Sequence, residues 1–306
     1  MVGLLAVMPR MSTGHSDGVQ WNSRPIGWGN PSPERALLWF NCPPMSLPLE
    51  LISTDFDGTL FAEFDNPPIA PQVVDVIGRL QKAGAKWVIN TGREMASLME
   101  AMARSKLEIK PDYMVLVERE IHVHQNHRYV ALEDWNEGCT RAHAELFGRV
   151  KPSVPRLMNW IEENFDATLY EDAWSPLCLT AATAVDAKAI NDYLDEFCRD
   201  HPDLVVVRND VWARFSHVAY NKGSSLKEIA RRLGVDRSKI LVAGDHLNDL
   251  PMLRNDVAGY IVTPVNGVPE VARQVREHGG HVSEKFCGYG VADGIERVLA
   301  ELNWTV

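Results

Sequence analysis

The feature that most constrains this chain is the segment from Leu51 to Leu60, where an apolar run ends in two closely spaced carboxylates. Leu51 and Ile52 begin a strand-like run, and Asp55 and Asp57 follow it at positions i and i+2, before a Gly-Thr turn. Open α/β sheets carry their chemistry where buried strands end in loops. The segment therefore predicts a buried strand that delivers both acids to a functional loop.

Two carboxylates at this spacing repel each other unless a cation lies between them or one of them stays protonated. A site with both options can bind a divalent metal ion and also transfer a proton. Oxygen ligands without paired Cys or His nearby favour Mg²⁺ over zinc. The alternative is a turn in which Asp57 caps a backbone amide beside Gly58, and a bare DxD sequence by itself favours that turn.

Four short polar segments stand at the ends of apolar runs or at the start of an amphipathic stretch. In chain order they are Asp55-Phe56-Asp57-Gly58-Thr59, Thr91-Gly92-Arg93, Lys222-Gly223, and Gly244-Asp245 with Asn248-Asp249. In these four motifs the chain resembles the haloacid dehalogenase (HAD) superfamily of phosphatases. One motif alone carries little weight, whereas four in the right order identify the family.

The resemblance implies an α/β fold with a doubly wound, parallel-sheet (Rossmann-like) HAD core and an inserted α+β cap domain, as in the Cof-type or sugar-phosphatase branch. We expect residues 47–111 and 218–306 to form the catalytic core and residues 112–217 to form the cap. In the inserted block strands and helices no longer alternate strictly, which itself predicts an antiparallel α+β unit. Residues 1–46 lack periodicity and predict a poorly ordered extension, dispensable if translation starts at Met45.

The resemblance also implies a role for each motif residue. Asp55 is expected to attack phosphorus, and Asp57 to protonate the leaving oxygen and later deprotonate a water. Asp245 and Asp249, with Asp55 and the backbone carbonyl of Asp57, are expected to hold Mg²⁺. The phosphate-binding residues are expected to be Thr91, Gly92 and Lys222. The expected supporting residues are Gly58, Thr59 and Asn248.

The chain departs from the branch at Glu118-Arg119-Glu120, where Cof-type members usually carry Asn-Gly-Ala. Two acids and an Arg change the charge near the leaving group, so the substrate is left open. Three histidines form either a metal site or a polar hairpin: His122, His124 and His127. Four tryptophans either stack on a sugar ring or pack in a core: Trp135, Trp160, Trp174 and Trp212.

Composition narrows the classes of partner. The formal net charge of −10 argues against nucleic acid or an anionic membrane as the main partner. No apolar run approaches the roughly 20 residues that span a bilayer. The 5 cysteines are scattered and never form a CxxC pair, which is typical of reduced thiols and predicts a cytoplasmic protein.

The main functional prediction is a Mg²⁺-dependent phosphomonoester hydrolase that acts through an aspartyl-phosphate on Asp55. Its expected partner is a small phosphorylated metabolite, most simply a sugar phosphate. A phosphosugar mutase uses similar machinery but returns the phosphoryl group to the substrate, and it remains an alternative. A phospho-receiver or catalytically silent binding protein is a further alternative from another class. The sequence makes no prediction of oligomeric state.

Overall fold

A computed structural model of the chain describes residues 47–304, which form twelve strands and eight helices. The predicted extension at 1–46 and the candidate start at Met45 lie outside the described residues. The strands are β1 (Leu51–Thr54), β2 (Lys86–Asn90), β3 (Tyr113–Leu116), β4 (Glu120–Gln125), β5 (Arg128–Ala131), β6 (Ala167–Tyr170), β7 (Cys178–Ala181), β8 (Leu204–Asn209), β9 (Trp212–His217), β10 (Ile240–Ala243), β11 (Tyr260–Thr263) and β12 (His281–Val282). The helices are α1 (Pro71–Ala83), α2 (Met95–Arg104), α3 (Glu133–Val150), α4 (Val154–Asn164), α5 (Ala184–Arg199), α6 (Lys222–Leu233), α7 (Pro269–Glu277) and α8 (Cys287–Glu301).

The larger sheet has eight strands in the order β12-β11-β10-β1-β2-β3-β4-β5. Its pairs from β12 to β3 are parallel, and β4 and β5 extend it as an antiparallel hairpin. The central strand β1, with the sequence Leu-Ile-Ser-Thr, is buried along its whole length, as is typical of a central strand in a parallel sheet. Thus the doubly wound α/β core that the sequence predicts is present.

Helices cover both faces of this sheet, which is why its central strands are apolar on both sides. On one face α1, α2 and α8 pack over side chains such as Ile52 and Trp87. On the other face α6 and α7 pack over Leu51 and Val242. The sequence predicts α1 with its correct limits, because Pro71 occupies the first turn and Gly84 ends the helix at φ 113°.

Three strands lie in a different place from the one that the sequence predicts. The predicted cap, residues 112–217, includes β3, β4 and β5, but all three belong to the larger sheet. β3 pairs in parallel with β2, and the β4–β5 hairpin follows it along the sheet edge. A strand followed directly by a hairpin resembles the start of an antiparallel unit. The local sequence does not reveal that its first strand, β3, pairs with β2. The division into core and cap domains stays a prediction.

The smaller sheet is antiparallel, with the order β6-β7-β9-β8, and packs with α3, α4 and α5 around its own apolar cluster. The sequence pattern does not predict α3. Its buried stripe is Cys139, His143, Leu146 and Val150, so half of the stripe is polar or weakly apolar and the periodicity is faint. None of the helices within residues 47–304 combines the length and apolar character needed to cross a bilayer.

Candidate active site

The predicted site residues meet at the carboxyl ends of three neighbouring parallel strands. Asp55 follows β1, Thr91 follows β2, and Asp245 comes two residues after β10. β1 lies between the other two strands in the sheet, so the three loops emerge side by side. Lys222, the first residue of α6, reaches the same place from outside the sheet.

Lys222 connects two of the acidic residues inside the protein. Its Nζ donates to Asp55 Oδ1 and to Asp249 Oδ1, both at 2.6 Å, and the Lys222 side chain is fully buried. Burial lowers the pKa of Lys222, but the carboxylates of Asp249 and Asp55 more than offset this effect, so the net shift is upward. Lys222 is therefore a permanent positive charge next to Asp55.

The position of Lys222 depends on how α6 begins. The Asn221 side chain accepts hydrogen bonds from the amides of Gly223 and Ser224 and so caps the helix. The helix start also passes very close to another loop, because a Cβ atom added at Gly223 would lie 2.1 Å from the Pro251 carbonyl oxygen. Only glycine permits this approach, and this explains the Gly after the Lys in the motif.

Asp249 closes the loop after β10. Its Oδ1 accepts from Lys222, and its Oδ2 accepts from the amides of Asp245 and His246, each at 2.9 Å. Both oxygens are thus engaged by donors of the protein. Asp249 fixes the backbone that carries Asp245.

Asp245 is held by two polar neighbours from distant parts of the chain. The Thr59 hydroxyl donates to Asp245 Oδ1 at 2.6 Å, and Asn266 Nδ2 lies 3.3 Å from Asp245 Oδ2. The same Asn266 nitrogen donates to the Gly58 carbonyl oxygen at 2.8 Å. The sequence predicts the supporting role of Thr59 but not that of Asn266, although its Asn-Gly turn follows β11 at the same edge of the sheet.

The acidic cluster has the donor set of a divalent metal site. Asp55, Asp245 and Asp249 each offer a carboxylate oxygen, and these oxygens lie within 4.8 Å of one another. Burial raises the pKa of Asp55 well above its usual range, and burial with nearby Asp249 raises the pKa of Asp245 to about 7. The cluster therefore lacks positive charge even with Lys222 in place, and a divalent cation fits the three carboxylates.

The histidines of the β4–β5 hairpin form no comparable cluster in the part of the chain that the structure describes. His122 and His124 lie on one face of β4, which pairs with β5. His124 packs against Tyr129 with ring centroids 5.0 Å apart. The polar-hairpin interpretation thus fits these residues better than a metal site.

Asp57 lies beside the cluster and is paired with Arg93. The guanidinium donates from Nε to Asp57 Oδ2 at 2.7 Å and from Nη2 to Oδ1 at 2.6 Å. Arg93 also contacts Ser97 and lies over the Phe56 ring. This bidentate pair fixes the direction of the Asp57 carboxylate. The sequence places Arg93 in a motif but does not predict this partner, which lies 36 positions earlier in the chain.

A cavity of about 200 Å³ opens over these groups. Its walls are Asp55, Asp57, Thr91, Gly92, Arg93, Glu118, Asn209, Trp212 and Asn248. Asn209 and Trp212 come from the turn between β8 and β9, so the smaller sheet covers the site with one hairpin. The Thr91 hydroxyl accepts from the Arg93 amide at 3.1 Å, which leaves its own hydrogen free to donate.

The Glu118-Arg119-Glu120 segment sends its three side chains to different places. Glu118 is buried in the cavity wall and accepts from Asn248 Nδ2 at 2.8 Å. Arg119 donates to the Trp174 carbonyl oxygen at 2.7 Å, and Glu120 accepts from the Trp174 indole at 3.2 Å. Of the three residues, only Glu118 lines this cavity.

The four tryptophans also divide between roles. Trp212 lines the cavity. Trp160 stacks on Tyr193, with ring centroids 3.6 Å apart, among the helices of the smaller unit. Trp135 donates to the Arg119 carbonyl oxygen at 2.8 Å and packs against the apolar cluster beneath α6 and α7. Core packing thus accounts for Trp135 and Trp160, and Trp212 is the one of the four that faces the site.

Comparison with known proteins gives consistent matches. A family model described as haloacid dehalogenase-like hydrolase matches residues 52–118 and 149–293. Phosphoglycolate phosphatase 2 of Saccharolobus solfataricus is 25% identical over 253 residues, which covers 82% of this chain and 92% of that protein. The 5-amino-6-(5-phospho-D-ribitylamino)uracil phosphatase YcsE of Bacillus subtilis is 22% identical over 261 residues, with 81% of this chain and 94% of that protein covered.

Solved structures are similar in fold. The sucrose-phosphatase of Synechocystis, in complex with sucrose and phosphate, superposes with a TM-score of 0.61 at 18% identity, covering 85% of this chain and 99% of that one. A HAD/COF-like hydrolase of Plasmodium vivax gives a TM-score of 0.58 at 15% identity, covering 84% and 98%. At these identities the likeness concerns the fold alone.

Proposed function

Because the chain belongs to the haloacid dehalogenase-like hydrolases of the Cof type and is a phosphatase, we propose that it is a Mg²⁺-dependent phosphomonoester hydrolase that uses Asp55 as nucleophile. The observation that carries the proposal is the buried Lys222 ammonium, which donates to Asp55 and Asp249 at 2.6 Å. Lys222 opposes the upward shift that burial imposes on the pKa of Asp55, and it offers positive charge where a phosphoryl group must approach.

The reaction follows from the positions of Asp55 and Asp57. Asp55 attacks phosphorus, an aspartyl-phosphate forms, and the bond to the leaving oxygen breaks as Asp57, which enters this step protonated, gives that oxygen its proton. The released alcohol departs. Asp57 then takes a proton from a water that attacks phosphorus, and free phosphate and the Asp55 carboxylate are restored. Arg93 keeps the Asp57 carboxylate aimed at the cavity through both steps.

Substrate phosphate would be bound by groups around the cavity. Thr91, with its hydroxyl, and Gly92, with its amide, directly follow β2, and two residues separate Gly92 from α2. Lys222 supplies the full charge. We assign Asp55, Asp245 and the backbone carbonyl of Asp57 as the residues that would hold Mg²⁺. When bound, the ion supplies positive charge that offsets repulsion between the carboxylates and an anionic substrate.

Asp249 takes a different part in this proposal. Because its two oxygens already accept from Lys222 and two amides, we assign it to the edge of the metal site, where it orients Asp245 and Lys222. Thr59 and Asn266 hold the opposite side of Asp245. Asn248 supports the cavity wall through Glu118.

The proposed substrate is a small phosphorylated metabolite, in the simplest case a sugar phosphate. The cavity of about 200 Å³ accommodates a phosphoryl group and part of a small leaving group. The relatives reported above carry phosphatase names, which favours hydrolysis over the phosphoryl return of a mutase. The cytoplasmic location expected from the scattered cysteines stays a prediction.

Phosphate release from a panel of phosphorylated metabolites tests the proposal. Wild type, Asp55→Asn and the control Asp75→Asn are compared with Mg²⁺ and with chelator; Asp75 is a surface carboxylate on α1 with a 70% exposed side chain. We expect release that needs both Mg²⁺ and Asp55, with the control unchanged. Release by Asp55→Asn at the wild-type rate would remove the nucleophile assignment, and an isomerised sugar phosphate without free phosphate would identify a mutase.

Metal binding has its own readout. Mg²⁺ at 100 times its dissociation constant is expected to stabilise the folded protein by about 2.7 kcal/mol through mass action. Asp245→Asn should lose most of this thermal shift, whereas Asp293→Asn, which removes a carboxylate that is not part of the cluster and accepts from Lys285, should retain it. An unchanged Mg²⁺ shift in Asp245→Asn would place the metal elsewhere.

A further inference from the structure

Glu118 is a buried carboxylate in the wall of the phosphate cavity, and the proposed reaction does not use it. Only 4% of the residue is exposed. A Cβ atom added at Gly92 would lie 3.3 Å from Glu118 Oε1, so the carboxylate lies against the residue whose amide is assigned to phosphate. A negative charge at this point does not help to bind phosphate, so its presence in the cavity wall calls for another role.

The backbone holds Glu118 in place at a conformational cost. Val117 and Glu118 both have left-handed backbone angles, with φ 43° and 67°. This region is unfavourable for residues other than glycine, above all for a β-branched residue such as Val117. Hydrogen bonds from the Val117 amide to the Arg93 carbonyl and from the Glu118 amide to the Thr91 carbonyl, at 3.0 and 2.9 Å, maintain it. The turn is thereby anchored to the phosphate-binding loop.

The hydrogen bonds of the carboxylate leave one oxygen incompletely satisfied. Asn248 Nδ2 donates to Oε1 at 2.8 Å. The nearest cation to Oε2 is Arg214 Nη2, which lies 3.7 Å away and donates to the Val117 carbonyl oxygen at 2.7 Å instead. Oε2 therefore remains able to accept a hydrogen bond from a substrate.

The charge of Glu118 is also the least compensated in the cavity. Asp57 has a bidentate guanidinium partner, and Asp55 has an ammonium at 2.6 Å. The cation within 4 Å of Glu118 is Arg214, at 3.7 Å, and its guanidinium lies over the Trp212 ring at 5.0 Å. Lys222 and Arg119 act on Glu118 from a greater distance. A second anionic group on a substrate would meet this negative charge in a buried place, where charges are poorly screened.

The two residues that the β8–β9 hairpin contributes to the cavity wall are uncharged and suit a hydroxylated molecule. Asn209 supplies an amide and Trp212 an aromatic surface, and both come from the β8–β9 turn. An amide and a ring bind hydroxyl groups and the C–H face of a polyol, and neither neutralises a carboxylate. The cavity thus offers acceptors and a ring to the leaving group, but no free cation among its lining residues, since Arg93 is engaged by Asp57.

We propose that Glu118 is a specificity-determining residue that admits uncharged, hydroxyl-bearing leaving groups and rejects those that carry a carboxylate or a second phosphate. This inference rests on the proposed function and narrows its substrate class. Glu118 Oε2 accepts a hydrogen bond from a leaving-group hydroxyl, and the same charge repels an anion at that position. Esters of neutral polyols and sugars are then preferred over phosphorylated sugar acids or hydroxy acids.

Binding to an inactive protein tests this without requiring turnover. In the Asp55→Asn background with Mg²⁺, titration calorimetry compares two matched pairs of esters: glycerol 3-phosphate with 3-phosphoglycerate, and glucose 6-phosphate with 6-phosphogluconate. Within each pair the second ester carries an additional carboxylate. The preference for the ester whose leaving group has no charge is expected to be on the order of tenfold or more. Glu118→Gln, which keeps the shape and an acceptor, should reduce it to about threefold or less.

Glu120→Gln is the matched control, because Glu120 is two residues away, contacts Trp174 and does not line this cavity. It should leave the preference unchanged. A preference that Glu118→Gln leaves intact would overturn the proposal. An equal loss of affinity for both members of a pair would also overturn it, because it would show that Glu118 has only a structural role as the ionic partner of Arg214. Binding of neither ester by the Asp55→Asn protein would do the same.

Turnover of the wild type is measured beside these titrations. If the wild-type protein releases no phosphate while Glu118→Gln still changes the binding preference, the proposed hydrolysis fails and the selectivity of Glu118 stands. If phosphate is released and the preference does not depend on Glu118, the proposed hydrolysis stands and the selectivity proposal fails. The two results therefore separate the selectivity proposal from the function on which it rests.

Discussion

The acidic cluster around Lys222 and the region around Arg119 and Arg214, here called the junction, both bury charged side chains. The two regions differ in the groups that compensate the buried charge. In the cluster, Lys222 donates to two carboxylates at 2.6 Å. At the junction, the buried Arg119 and Arg214 donate to backbone carbonyl oxygens at 2.7 Å. Burial and the nearby Arg214 lower the pKa of Arg119 to about 10. Opposite charges hold the cluster together, whereas oriented peptide dipoles hold the junction.

This difference indicates which region is sensitive to the loss of one residue. Removal of one partner from a buried ion pair leaves an uncompensated charge, which costs far more than the loss of a hydrogen bond to a carbonyl. We therefore expect large effects from single changes in the cluster and smaller, graded effects near the smaller sheet. Four predictions, from the largest expected effect to the smallest, test this contrast.

Asp55→Asn should reduce kcat by at least about a thousandfold, because an amide cannot form the phosphoenzyme. The fold should persist, since the change removes a buried carboxylate whose pKa is raised by burial. Steady-state kinetics and a thermal melt measure the two effects, with Asp75→Asn as the surface control. A loss of less than tenfold in kcat would contradict the central role of the cluster.

Lys222→Ala should lower the free energy of unfolding by about 3–5 kcal/mol in metal-free buffer, because it leaves Asp55 and Asp249 buried without their cation. It should also raise the activation free energy by about 3 kcal/mol through the lost phosphate contact. Urea denaturation and kcat/KM measure these changes. The control is Lys227→Ala on the same helix, where the ion pair with Asp256 is about half exposed. Equal effects of the two changes would contradict the contrast.

The same Gly→Ala change should have opposite signs in the two regions. Gly223→Ala pushes a Cβ to 2.1 Å from the Pro251 carbonyl oxygen and should cost about 2 kcal/mol or more, with a loss of activity as Lys222 is displaced. Gly148→Ala in α3 meets no atom within 4 Å and should stabilise the protein by about 0.5–1 kcal/mol. Chemical denaturation measures both. A tolerated Gly223→Ala would show that the helix start can move freely.

The smallest expected effect is on the pH dependence of stability in metal-free buffer. Burial raises the pKa of Asp245 to about 7, so its contribution to stability is present at low pH and is lost as the pH rises towards 7. Burial and nearby Arg119 lower the pKa of His143 to about 3, so stability falls as the pH drops below the unfolded value near 6.5. The cluster and the smaller unit thus respond to pH in opposite directions.

Two variants separate the contributions of Asp245 and His143 to the change of the free energy of unfolding with pH. Each contribution is at most about 1.4 kcal/mol per pH unit for one proton. Between pH 4 and 6.5, Asp245→Asn should make stability rise more steeply with pH, and His143→Gln should make it fall more steeply. Urea denaturation at several pH values measures both. If both variants shift the slope in the same direction, the assigned pKa directions are incorrect.

Much of the core could be predicted from the sequence because its signals are local. Pro71 and Gly84 limit α1, and the apolar run before Asp55 forms β1 as expected. Helix α3 was not predictable in the same way, because its buried stripe contains Cys139 and His143. These two residues bond to each other and not to a core of aliphatic side chains, since His143 Nδ1 lies 2.8 Å from the Cys139 carbonyl oxygen.

The candidate site divides along the same line. The location of the four motifs at strand ends and helix starts could be predicted from the sequence, because turn and helix-start signals depend on neighbouring residues. Arg93 as the partner of Asp57 and Asn266 as the partner of Asp245 do not follow. The sequence places the segment from Glu118 to Glu120 near the leaving group, but it does not show that only Glu118 lines the cavity. Each depends on an approach between loops that only the complete sheet fixes.

Local sequence was sufficient to predict the alternating strands and helices around the four polar segments and the kind of chemistry that these segments can perform. Tertiary structure alone decided that β3 to β5 extend the larger sheet and that the β8–β9 turn brings Trp212 over the cavity. The physical reason is the range of the interactions. Helix limits and turns depend on neighbours a few residues apart, whereas Lys222 and Asp55 meet across 167 positions through the pairing of distant strands.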